Sequence, residues 1–174
     1  MKDHQKVQGM LRTVISSADS KVRKENMNQV VYELSQHAAV EEQILYPTLR
    51  HLHDDGDKMA DRAIEEHLKV KKELDALDKM EVTESKFVPA VEKMSKDLDQ
   101  HIKEEESEIF PILKQKLSKE DLDKMGNLLE SMKTVSPTRP HPHMPATPPY
   151  NVMAGPLAAF LDRVRDLGRS FPKK

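Results

Sequence analysis

Apolar residues recur three and four positions apart in four successive stretches: Val7, Leu11, Val14 and Ile15; Val30, Leu34, Leu45 and Leu49; Ala63, Val70, Leu74 and Leu77; Val91, Met94, Leu98, Ile109 and Leu113. Such spacing keeps one side of a 3.6-residue turn apolar and predicts four amphipathic helices. Breaks fall near residues 17–20, in the HDDGD run at 53–57 and in VTES at 82–85. A shorter fifth helix is expected after LSKED, where Ser118 can cap and Asp121 lies near the positive helix end. Seven of the eleven prolines then crowd between Pro137 and Pro156, a stretch that cannot be helical throughout. A last amphipathic segment runs from Leu157 to Phe171. The expected organisation is an all-α, antiparallel up-down four-helix bundle with its fifth helix over residues 1–133, a Pro-rich linker over 134–154, and a basic amphipathic tail helix over 155–174.

An internal repeat underlies the four helices. DHQKVQGML, from Asp3 to Leu11, matches EHLKVKKEL, from Glu66 to Leu74, in its His, Lys, Val and Leu. HAAVEEQILYPTL, from His37 to Leu49, matches HIKEEESEIFPIL, from His101 to Leu113, in its His, two Glu, an aromatic before Pro and a closing Leu. The offset is 63 or 64 residues, so two similar helical hairpins are expected to pack about a pseudo-twofold axis.

Composition narrows the chemistry. The 174 residues are 37% hydrophobic and 33% charged, polar for a globular domain but not disordered throughout. With no cysteine, disulfide scaffolds, thiolate zinc fingers, iron–sulfur clusters and thiol nucleophiles are excluded. Net charge is −2, divided into an acidic body and a tail after residue 133 with six basic and two acidic side chains. An acidic body without basic or aromatic clusters argues against nucleic-acid binding. No apolar run reaches the roughly 18 residues of a membrane span, and the start lacks a signal peptide's apolar segment. A soluble, cytoplasmic protein is the expectation.

The repeated histidines carry the chemistry. His4, His37, His67 and His101 each stand 15–17 residues from a predicted turn, so an up-down bundle brings all four to one level. Each continues an apolar seam. Glu41 and Glu105 follow their His by four residues and share its stripe. Carboxylates converging with imidazoles in an apolar interior are costly to bury without compensating charge. Divalent cations offset that cost, and a sulfur-free set of imidazoles and carboxylates suits iron, with manganese or zinc as competitors.

The pattern DH, HxxxEE…YP, EEH, HxxxEE…FP resembles the hemerythrin family, in particular its HHE cation-binding branch, across roughly residues 1–115. The resemblance implies a four-helix bundle holding two non-haem iron ions, with His4, His37, His67 and His101 as terminal ligands and Glu41 and Glu105 as bridging or chelating carboxylates. Oxygen-carrying members have a further His one turn from the third-helix His and an acid five residues after the last. Here the neighbours of His67 at that spacing are Ala63 and Lys71, and Glu106 occupies the five-residue offset as an alternative to Glu105. The implied function is engagement of dioxygen, peroxide or nitric oxide by a redox or gas-responsive protein, with at most weak peroxide-consuming activity, rather than reversible oxygen carriage. Two rivals stand beside it: an iron-responsive sensor or iron-storage protein, and a metal-free helical interaction module.

Other candidates are weaker. His51 and His53 lie 14 and 16 residues past His37 and are expected in solvent. Pro47 and Pro111 are expected to kink or end a helical turn. Tyr46 and Phe110 flank the seam, with core packing the favoured role and shielding of the site the other. His141 and His143 fall in the linker, where disorder is favoured over stray copper or nickel binding. The tail helix carries Leu157, Phe160, Leu161, Val164 and Leu167 on one face. Docking of the tail on the bundle is the favoured reading, ahead of a protein partner; alternation of Asp with Arg weighs against a membrane surface.

Overall fold

The computed structural model describes residues 2–147 and 150–172. Helix α1 (Lys2–Ser16) turns directly into α2 (Ser20–Val40), capped by the Asp19 carboxylate, which accepts the backbone N–H groups of Lys21 and Val22. A π-helical turn (Glu41–Leu45) joins α2 to α3 (Tyr46–Leu52), making one broken rod. Helices α4 (Gly56–Asp78) and α5 (Phe87–Glu104) form the second hairpin, and a second π-turn (Glu105–Ile109) joins α5 to α6 (Phe110–Lys116). Helix α7 (Lys119–Lys133) follows, its first turn closed by the Ser118 hydroxyl, which accepts the Asp121 N–H as the sequence predicts. Helix α8 (Tyr150–Asp166) is the last. The four rods are α1, α2–α3, α4 and α5–α6, in the expected up-down order.

The π-turns sit just before the two proline kinks. Pro47 and Pro111, each second in its helix, lack the N–H that would bond four residues back. The Tyr46 N–H reaches five residues back to the Glu41 carbonyl, and Phe110 does the same to Glu105. Each π-turn absorbs one extra residue and so delays the rotation of everything after it by roughly 100°. At the HDDGD corner, a Cβ on Gly56 would lie 2.4 Å from the Leu49 carbonyl oxygen, so only glycine lets α4 start against the end of α3.

Two apolar clusters fill the bundle. One holds Leu11, Val30, Leu34, Val70, Leu74, Phe87, Met94 and Leu98. The other, beyond the π-turns, holds Leu45, Leu49, Ala60, Ala63, Ile109 and Leu113, with Leu122 and Met125 of α7 packed on it. The repeated His and Glu residues lie between them.

After α7 the chain departs from a free linker and tail. Ser136, Pro137, Thr138 and Pro140 are buried, so this segment is a strap laid against the bundle, and α8 begins at Tyr150, inside the stretch read as linker. The strap is held by polar contacts: Arg139 pairs with Asp78 at 3.0 Å, and the Gln36 amide donates to the Lys133 carbonyl at 2.6 Å. Helix α8 docks, but by the face opposite its apolar stripe. Asp162, fully buried, accepts the N–H groups of Thr138 and Arg139 and lies 2.8 Å from His141 Nε2. Three donors converging on one carboxylate fix that side inward, and Leu157, Phe160, Leu161, Val164 and Leu167 are left outside.

Candidate metal centre

Four rods deliver one imidazole each to a single level. His4 Nε2 lies 3.2 Å from His37 Nε2, and His67 Nε2 lies 3.0 Å from His101 Nε2. The two carboxylates stand between these pairs. Glu41 Oε2 is 3.1 Å from His37 Nε2 and 3.5 Å from His67 Nε2; Glu105 Oε2 is 3.4 Å from His4 Nε2 and 3.7 Å from His101 Nε2. Two donor sets result, His4–His37–Glu41–Glu105 and His67–His101–Glu41–Glu105, all buried, the donor atoms of each set within 4.8 Å of one another. Bonds of about 2.1 Å put adjacent ligands of an octahedral ion roughly 3 Å apart, close to the spacing within each His pair.

The remaining ring nitrogens are spoken for by carboxylates. Glu106 lies 2.9 Å from His4 Nδ1, Glu42 3.1 Å from His67 Nδ1, and Glu66 2.8 Å from His101 Nδ1, while Asp3 faces His37 Nδ1 at 3.8 Å. A carboxylate on Nδ1 holds the proton there and leaves the Nε2 lone pair free, the arrangement that orients histidine ligands around metals. The assignment follows the repeat: the acid before the His of the first or third rod supports the His of the next rod, and the second Glu of each EE pair supports a first- or third-rod His.

The interior is therefore a cage of acceptors. Facing Nε2 lone pairs repel, and the Oε2 atoms of Glu41 and Glu105 are buried without a hydrogen-bond donor. Among the described residues only the Tyr46 hydroxyl enters as a donor, to Glu105 Oε1 at 2.8 Å, with His67 Nε2 3.1 Å away. Buried acceptors without donors are costly, and cations remove that cost, so the residues present fit a pair of metal ions. Proton affinities show the same tension. Burial and the adjacent Glu105 charge push Glu41 well above the ordinary carboxylate range. Burial pushes Glu105 up too, but a proton shared with His4, and positive charge on His101 or His37 when either is protonated, outweigh that and bring it below its ordinary value. Burial depresses His37, and burial with the nearby His101 depresses His67 further.

All six residues singled out as ligands from the sequence are brought together. Glu106, the alternative to Glu105, points to the far side of His4 and supports its ring. His51 is exposed near the end of α3. Phe110 stacks on His4 with ring centres 6.0 Å apart, whereas Tyr46, its counterpart in the repeat, brings a hydroxyl among the donor atoms. Core packing is thus incomplete as an account of Tyr46. A straight helix would put Tyr46 about 180° from His37; the π-turn brings it back. Lys71, one turn after His67, gives both its short bonds to Glu42, at 2.6 and 2.7 Å. Lys133 of α7 reaches Asp3 at 2.5 Å, so α7 braces the carboxylate facing His37. The EE and DH/EH doublets could have revealed Asp3, Glu42 and Glu66; no sequence signal points to Lys133.

An all-α bundle of two repeated hairpins around a buried His/Glu cage able to hold metal cations is the class that this fold and site define. The chain matches the Hemerythrin HHE cation binding domain over residues 1–113, and it belongs to that family. It is 35% identical to a hemerythrin-like protein of Schizosaccharomyces pombe over 172 residues, 98% of this chain and 85% of the relative. It is 25% identical over 132 residues to a Nostoc protein named DNA nickase, matching 76% of this chain but only 37% of that protein's length. The fold resembles the crystal structure of a hemerythrin HHE cation-binding domain protein from Mycobacterium kansasii, with a TM-score of 0.64 and 22% identity over 76% of this chain and 83% of the other. Among the described residues no helix is long and apolar enough to cross a membrane.

Two expectations follow from the bracing. Lys133→Met releases Asp3 and lowers the affinity of the His4–His37 half for metal by about tenfold, the scale of losing an outer-shell partner, while Lys133→Arg largely restores it. Chelator competition on the purified variants measures this. Deleting residues 137–174 keeps Lys133 and every member of both donor sets, so metal content per chain is unchanged although the thermal midpoint falls; loss of metal on truncation would show that the strap seals the site.

Proposed function

We propose that this chain is a non-haem di-iron protein that engages dioxygen, peroxide or nitric oxide as a redox or gas-responsive device. In this reading His4 and His37 hold one iron, His67 and His101 the other, and Glu41 and Glu105 are shared between them. What supports it above all is the acceptor-rich cage, with two buried Oε2 atoms that have no donor among the described residues, centred between two histidine pairs. Iron fits a sulfur-free set of imidazole and carboxylate, with manganese or zinc as the competing occupants. Two irons bound there would supply one electron each to a small oxidant.

The protein's own groups set the terms of that exchange. The Nδ1 carboxylates hold the four rings in one tautomer and raise their basicity. Tyr46 keeps its proton, since burial and the Glu105 charge raise its pKa well above normal, and donates it to Glu105 Oε1. The apolar clusters above and below limit water at the site. Two histidines for each iron, one fewer overall than in oxygen carriers, would leave room for a small ligand, and the negative charge of Glu41 and Glu105 would favour the oxidised state of iron held there. Cycling the reduced, iron-loaded protein between oxygen and argon while recording its visible spectrum tests the proposal. The spectrum is expected to change once and stay oxidised until a reductant is added. A band that forms and vanishes repeatedly without reductant would make the protein a reversible carrier instead.

A further inference from the structure

The tail helix wears its apolar side outward. Leu157 is 66% exposed, Phe160 65%, Leu161 51%, Val164 54% and Leu167 86%. These side chains form one stripe about 15 Å long on α8 and the turn that ends it, a contiguous apolar surface that a protein standing alone in water gains nothing by displaying. The orientation is not loosely set. Asp162 is locked inward by Thr138, Arg139 and His141; Asp166 accepts the Thr138 hydroxyl at 2.6 Å; and the Asn28 amide donates to the Ser170 carbonyl at 2.7 Å. Turning the stripe inward would break this buried polar set.

The same docking sorts the charges. Both acids of α8 face inward onto the strap, where Thr138, Arg139 and His141 engage them. Arg163 and Arg165 lie roughly 100° to either side of the stripe's centre. Among the described residues Arg163 bonds only to carbonyl oxygens, of Ala159, Thr134 and Ser136, and Arg165 has no carboxylate partner. In the sequence, Lys173 and Lys174 follow within eight residues. The alternation of Asp with Arg, which in the bare sequence weighs against a membrane surface, is thus resolved in space: acids inward, cations at the edges, apolar side chains between them.

We propose that α8 is a docking surface for an anionic lipid bilayer, lying flat with its apolar stripe among the acyl chains and its arginines at the headgroups. This is the geometry by which interfacial amphipathic helices bind, from apolar burial plus attraction to negative lipid. A second copy of the chain fits less well. Stripe against stripe, the arginines of one copy would face those of the other with no outward acid on α8 to offset them. Five side chains per copy also fall far short of the roughly 20–30 residues a side of a stable interface. The acidic bundle opposes the anionic surface, which makes binding dependent on both the stripe and the edge cations.

The test is flotation of the full-length protein with vesicles of phosphatidylcholine alone and of phosphatidylcholine mixed with phosphatidylserine, at low and at physiological salt. The protein is expected to float with the phosphatidylserine vesicles only, more strongly at low salt. Phe160→Ser combined with Leu167→Ser should weaken binding by about tenfold or more, since apolar burial is the larger part of interfacial affinity. Arg165→Gln should weaken it about fivefold, the effect of one basic residue near a negative leaflet. All three positions are in solvent, so far-ultraviolet circular dichroism should be unchanged. Equal binding to both vesicle types, no binding to either, or binding indifferent to these variants would overturn the proposal. A concentration-dependent dimer abolished by Phe160→Ser with Leu167→Ser, in protein that ignores vesicles, would overturn it in favour of self-association.

Discussion

Replacing Glu41 or Glu105 with alanine is expected to empty the whole site, whereas replacing any one of the four histidines removes chiefly the ion held by its own pair. The difference follows from the sharing of the carboxylates. Glu41 Oε2 lies 3.1 Å from His37 Nε2 and 3.5 Å from His67 Nε2, so its loss strips a ligand and a neutralising charge from both halves. His4, by contrast, belongs to one donor set only. Elemental analysis of proteins reconstituted in parallel should find about two ions per chain in the wild type, close to none in Glu41→Ala and Glu105→Ala, and about one in His4→Ala and His101→Ala, because coordination is lost with the ligand. His51→Ala, at an exposed position, should match the wild type. Equal loss from His51→Ala would mean that the inward face has been misassigned.

The milder substitution Glu41→Gln should act in opposite directions with and without metal. In the metal-free protein the ionised form of Glu41 is penalised by burial and by Glu105, so its folded pKa is raised well above 4.5. The native state then binds more protons than the unfolded chain between 4.5 and the raised value, and stability falls as pH rises across that window. Glutamine removes this loss. Its amide also offers donors to a cage that has almost none. At neutral pH the metal-free variant should therefore be more stable than the metal-free wild type by about 1–3 kcal/mol, the usual cost of a buried unsatisfied polar group. For a domain of this size that is roughly 2–4 °C in thermal midpoint per kcal/mol. With metal added the order should invert, since the wild type gains binding energy that the variant forgoes. A wild type that is the more stable in both states would mean that the cage is already satisfied without cations.

Much of this was legible in the sequence because the chain states its site twice. The recurrence of His, Glu and the aromatic–Pro pair at a 63–64 residue offset identified the rods, their order and all six residues of the two donor sets. Register along a straight helix is a matter of counting, and it holds at all four histidines: His4 and His67 lie on rods without a π-turn, and His37 and His101 precede the π-turn of their own rod. Beyond Glu41 it fails: the extra residue of the turn rotates Tyr46 into the site, and nothing local distinguishes it from Phe110 until the backbone is known. The support of His37 by Lys133 through Asp3 joins residues 130 apart and has no periodic signature. For the tail, an apolar stripe is expected to face the protein, and it does not. Asp162 outweighs it: three converging donors fix that carboxylate inside, and the stripe opposite is turned out as a consequence.

Metal analysis of protein purified without chelators, joined to an optical spectrum before and after exposure of the reduced protein to air, decides whether the acceptor cage between the two histidine pairs holds two cations and whether these are iron. Close to two ions per chain, chiefly iron, and a visible band that develops on oxidation are expected. Protein that is fully helical, free of metal and unable to take up iron on reconstitution would contradict this expectation.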